Sequence, residues 1–186
     1  MLIRPKIVFL YTFIVSVTLC ALIGIGVLLF GNFGSVEIRI LLTTLTVTVT
    51  SILGLACGAC LEANRGRLLP IIGIALSIIS AVMCFLIIWD VLDDSEAFIK
   101  SFLTATLIAA ACSHLSLLSL AHLDARFRWA RLTAHVFVWL LAAILLYLMW
   151  FEPTGTTEMV YRVIGILSIL IATMTVVTPV FYRLSA

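Results

Sequence analysis

Cys57-Gly-Ala-Cys60 is a C-x-x-C pair. Two thiols three residues apart share one helix face and suit redox exchange or half of a metal site. No second C-x-x-C or Cys/His pair follows at zinc spacing, so a four-ligand site lacks its other half. The same stretch reads Gly54-Leu-Ala-Cys-Gly58, a GxxxG run. Small residues at that spacing let two helix backbones approach closely in lipid. Gly54 and Gly58 are therefore expected at a helix–helix contact, with the cysteines as small apolar fillers. No metal site is expected there.

His114 and His135 each lie inside an apolar run. An ionisable residue at such a position is a functional candidate by default. The sharpest chemistry two such rings offer is bis-imidazole ligation of a haem. No c-type attachment motif accompanies them. The simpler expectation is a neutral ring hydrogen-bonded to a nearby hydroxyl, Ser113 or Ser116, or to a backbone carbonyl. No cofactor is assigned.

The remaining charged clusters lie between apolar runs. Asp90, Asp93, Asp94 and Glu96 fall close together, but without the glycine-centred spacing of a calcium loop. A solvated turn is expected. His122, Asp124, Arg126, Arg128 and Arg131 form a basic segment suited to setting topology, or to gripping anionic lipid headgroups. There is no Walker loop, H-E-x-x-H, G-x-S-x-G or nucleic-acid module. No catalytic residue and no nucleic-acid partner are assigned.

The elements that carry these residues follow from composition. Of 186 residues, 64% are hydrophobic and only 11% charged, where soluble domains are nearer half and a quarter. Mean hydropathy is +1.30. Surplus apolar surface must face lipid, and backbone groups in hydrocarbon must pair internally. The apolar runs are continuous rather than alternating, which predicts helices and excludes barrel strands. The reading is an all-α polytopic bundle, with spans at about 7–30, 38–60, 69–90, 99–121, 133–151 and 159–181. The whole of 1–186 is read as one six-helix transmembrane domain with no soluble domain. The first span is read as a retained helix, because its run is longer than a signal-peptide core.

Basic residues alternate by loop. Arg4, Lys6, Arg65, Arg67, Arg126, Arg128, Arg131 and Arg183 fall on one side, with the acids Glu62 and Asp124. Glu37, Asp90, Asp93, Asp94, Glu96, Glu152 and Glu158 fall on the other, with Arg39, Lys100 and Arg162. The positive-inside rule then places both termini in the cytoplasm, in a plasma (inner) membrane. Trp89, Trp150 and Phe151 fall at outer span ends, and Trp129 and Tyr182 near the inner side, as interfacial anchors do. Pro5 and Pro70 suit helix starts. Pro179, inside the last span, predicts a bend or an early end.

Spans two and three resemble spans four and five as helical hairpins. Glu96 to Lys100 and Glu158 to Arg162 repeat one E-x-x-x-[KR] pattern before spans four and six. This suggests an internal repeat, although any chain of alternating topology repeats its charges. Hydroxyls concentrate in spans two, four and six, which predicts that these form the inner set. Thr46, Thr50, His114 and Thr173 are the expected polar interior.

The function expected from these residues is non-catalytic: an accessory, assembly or interaction subunit. Its partners would be the lipid bilayer, other membrane proteins or a second copy. The alternative is a small transporter or channel for a neutral or amphipathic solute, lined by spans two, four and six. A haem-binding redox subunit using His114 and His135 is the third reading.

Overall fold

The computed structural model describes residues 5–30, 34–63, 67–91, 95–120, 128–151 and 158–184. Among them are six helices and no strand. They are α1 (Pro5–Phe30), α2 (Ser35–Glu62), α3 (Leu68–Ile88), α4 (Glu96–Leu120), α5 (Arg128–Phe151) and α6 (Glu158–Leu184). Five contain stretches long and apolar enough to cross a membrane: Ser35–Glu62, Leu68–Ile88, Glu96–Leu120, Leu132–Phe151 and Glu158–Val177. Even the 21-residue α3 rises about 30 Å at ~1.5 Å per residue, one hydrocarbon thickness. α1 adds a shorter apolar stretch, Leu10–Gly26. The chain is a multi-pass helical membrane protein.

Local chemistry explains several boundaries. Glu37, Glu96 and Glu158 stand in the first turns of α2, α4 and α6, where a carboxylate faces the positive end of the helix dipole. Glu96 pairs with Lys100 at 2.6 Å and Glu158 with Arg162 at 3.2 Å, so both E-x-x-x-[KR] patterns are one-turn ion pairs. α3 ends in a Schellman turn. Asp90 takes a positive φ of 50°, its N–H donates to the Ile87 carbonyl, and the Val91 N–H donates to Leu86. Short polar residues tolerate that left-handed conformation better than most. The Asp90 carboxylate also accepts from Arg39 near the start of α2.

At the C-terminal end, α6 continues through position 179 to Leu184, so the early end expected at Pro179 does not occur. In a membrane helix, small backbone adjustments compensate for the one bond that proline removes. Several positions singled out in the sequence lie outside the described residues. They are Arg4 and Arg65, the outer acids Asp93, Asp94 and Glu152, and the inner-loop residues His122, Asp124 and Arg126.

The chain forms two compact units, Met1–Ser113 and His114–Ala186. In the first, α2 packs on both α1 and α3. Hydroxyls and thiols link its helices in turn. The Thr48 hydroxyl lies 3.0 Å from that of Ser16 of α1, and Thr46 meets the Cys84 thiol of α3 at 3.3 Å. The Ser80 hydroxyl of α3 and the Thr106 hydroxyl of α4 lie 2.5 Å apart, and the Ser113 hydroxyl of α4 lies 3.2 Å from the Leu53 carbonyl of α2. In the second unit, α5 packs on α6.

Candidate functional site

Most hydroxyls in these helices donate to the backbone carbonyl one turn back. Thr46 donates to Leu42, Thr50 to Thr46, Thr106 to Phe102 and Thr173 to Ile169, each at 2.8–2.9 Å. A back-bonded threonine has its donor satisfied inside its own helix. It can therefore face lipid as readily as protein. This is the physical reason why hydroxyl content does not mark the inner helices. α4 is the most covered, with 44% of its span window buried, while α6 is the least, with 6%. Thr173, expected in the polar interior, is exposed. Thr46 and Thr50 are half-buried. Thr50 and Ser51 line a cavity of about 240 Å³ with Thr12, Ile78, Ala81 and Phe85, within the first unit.

The C-x-x-C stretch is tightly enclosed. Cys57 and Cys60 are buried, as are Gly54, Ala56 and Gly58. Cys57, Cys60, Cys84 and Cys112 are free thiols. The Cys57 thiol lies 3.4 Å from the Ser113 hydroxyl. α3 approaches it closely at Gly73. A Cβ on Gly73 would lie 2.6 Å from the Cys57 sulfur and 3.1 Å from the Cys112 Cβ. Gly73 is thus where α3 meets α2 and α4, and the two cysteines fill the space opposite it. The signal on α3 was the weaker small-xxx-small run Gly73, Ser77 and Ala81, all buried, which a search for GxxxG alone passes over.

The two histidines line different grooves. His135 borders a shallow groove with Leu132, Val136, Trp139 and Leu140, all on α5. His114 is half-buried and lines an open groove of about 450 Å³ with Leu141 of α5 and Ser168, Ile171, Ala172 and Thr175 of α6. Its Nε2 lies 3.1 Å from the Thr175 hydroxyl. The expected hydrogen bond to a hydroxyl is therefore present, but the partner comes from α6 rather than from Ser113 or Ser116. The groove walls are largely aliphatic. Three of the lining residues, His114, Ser168 and Thr175, carry polar side chains. That arrangement suits recognition of a small polar group on an apolar molecule. Ser116 itself is fully buried, and its hydroxyl is the one buried side-chain polar atom without a partner among the described residues.

One face of α6 is open. Gly165, Ile169 and Thr173 are spaced four residues apart and all exposed, and a Cβ on Gly165 would meet no atom within 4 Å. In lipid, a small residue flanked by a hydroxyl on an open helix face lets another helix approach closely. Comparison with protein-family models, curated proteins and solved structures gives no match.

Proposed function

We propose that this protein is a non-catalytic interaction subunit of the plasma (inner) membrane, crossing the bilayer six times with both ends in the cytoplasm. The carrying observation is the open Gly165–Ile169–Thr173 face on α6, the least covered of the five long apolar helices. Without a hydrophobic force between helices in lipid, association depends on close packing and on polar contacts. Gly165 offers the close approach and the Thr173 oxygen an acceptor, and the occupant is a transmembrane helix of a partner membrane protein. α1 supplies the sixth crossing. The loop charges support the orientation, because the basic residues alternate with the acidic ones across successive loops.

A photoreactive benzoylphenylalanine placed at Ile169, in the full-length chain in its own membrane, tests this reading. Val82 of α3 serves as the comparison site, since it is also exposed. The expected result is a discrete protein adduct from position 169 that Gly165→Leu abolishes, and none from position 82. Lipid adducts alone from position 169 would overturn it. An adduct with a second copy would correct the occupant to the chain itself.

A further inference from the structure

We propose that the His114 groove binds the hydroxyl group of a neutral, lipid-soluble alcohol, with the imidazole Nδ1 as the acceptor. The inference comes from where each proton in the groove goes. Ser168 donates to the Ile164 carbonyl at 2.8 Å, so its oxygen offers the groove only lone pairs. Thr175 donates to the Ile171 carbonyl at 2.8 Å in the same way. Its hydroxyl has no second proton, so its 3.1 Å contact with His114 is an acceptance from Nε2–H. A neutral ring protonated at Nε2 carries a bare lone pair at Nδ1. Nδ1 has no hydrogen bond among the described residues.

The polar groups of this groove are therefore all acceptors. An acceptor set in an aliphatic pocket selects a ligand that brings a donor. It discriminates against ketones, ethers and esters, which would leave lone pair facing lone pair. A charged donor such as an amine is disfavoured by the aliphatic walls of Leu141, Ile171 and Ala172. What remains is a hydroxyl on an apolar body. The volume of about 450 Å³ falls in the range of small-molecule pockets, roughly 300–1,000 Å³. On α6 the lining runs from Ser168, Ala172 and Thr175 to Val176, which lies on the Gly165–Thr173 face, so a partner helix there would border the site; the test below therefore uses the protein alone.

The test uses the full-length protein in nanodiscs of phosphatidylcholine, which has no free hydroxyl. The probe is a dodecanol analogue carrying a photoreactive diazirine and an alkyne tag. Labelling is expected on α5 and α6 around Leu141 and Ala172, and dodecanol should compete for it while dodecyl methyl ether should not. His114→Phe removes the acceptor and should weaken labelling about fivefold, a hydrogen bond of ~1 kcal/mol converted at 1.4 kcal/mol per factor of ten. His114→Gln keeps one donor and one acceptor and should restore it. Should His114→Phe fail to fold, Ala172→Phe fills the groove from the lipid side and should abolish labelling at an unchanged melting temperature. Competition by dioleoylglycerol as well would assign the site to a bilayer lipid with a free hydroxyl. Competition by dodecanol alone would assign it to a free alcohol. Equal competition by the methyl ether, or unchanged labelling in Ala172→Phe, would overturn the proposal.

Discussion

Gly73→Ala is expected to destabilise the first unit, and the effect should change sign when Cys57 is shortened. The added methyl would lie 2.6 Å from the Cys57 sulfur, well inside the 3.4 Å at which ordinary contact begins. The separation must grow by roughly 1 Å, since carbon contacts are optimal near 3.5–4.0 Å. Cys57 is fully buried against Ser113 and has no open space to turn into. Overpacking by one methyl costs about 1–3 kcal/mol, and alanine is favoured over glycine in a helix by ~1 kcal/mol, so a net loss of up to about 2 kcal/mol is expected. In a Cys57→Ala background the sulfur is gone and the nearest remaining atom is the Cys112 Cβ at 3.1 Å. There Gly73→Ala should be neutral to about 0.5 kcal/mol stabilising, giving a coupling of up to about 2.5 kcal/mol. Equilibrium unfolding of the four proteins of the cycle in mixed detergent micelles reads this directly. Equal effects of Gly73→Ala in the two backgrounds would refute the contact.

Two serines should respond oppositely to loss of their hydroxyls. Ser80→Ala removes the Ser80–Thr106 hydrogen bond and should cost about 0.6 kcal/mol, the usual size of an interhelical hydrogen bond in a membrane. Ser116→Ala deletes a buried hydroxyl without a partner and should be neutral or stabilising in the same unfolding assay. At the Schellman turn, Asp90→Asn keeps a residue suited to the left-handed conformation and loses only the exposed Arg39 pair. It should shift stability by less than about 1 kcal/mol, whereas Asp90→Val should cost ~1–2 kcal/mol more by adding a branched side chain at positive φ. Thermal unfolding at low and high salt separates the two contributions, because only the ion pair is screened.

Helix number and placement were legible because continuous apolar runs bounded by charge are a strong, local signal. The six expected spans agree with the six helices to within a few residues at most ends, and the E-x-x-x-[KR] patterns form ion pairs as their spacing requires. Which faces turn inward was less legible. Hydroxyl counting failed on α6, because Thr173 satisfies its donor within its own helix and so carries no information about its surroundings. Gly73 was missed because its partners at i+4 and i+8 are Ser77 and Ala81 rather than glycine, a weaker small-xxx-small signal. The His114–Thr175 contact joins residues 61 apart in sequence, and only the fold brings them together.

The most direct test of the six-crossing arrangement is the side of the membrane on which each end of the bundle emerges. Five crossings would put the two ends on opposite sides, and six put them on the same side. Single reporter cysteines at Leu2, Arg67, Val91 and Ser185 can be labelled with a membrane-impermeant maleimide, on intact cells and on inverted vesicles, against the unsubstituted chain as background. Six crossings with cytoplasmic ends predict labelling of Val91→Cys on intact cells, and of Leu2→Cys, Arg67→Cys and Ser185→Cys only on inverted vesicles. Labelling of Leu2→Cys on intact cells together with Val91→Cys would show that α1 does not cross, and would contradict the six-crossing arrangement.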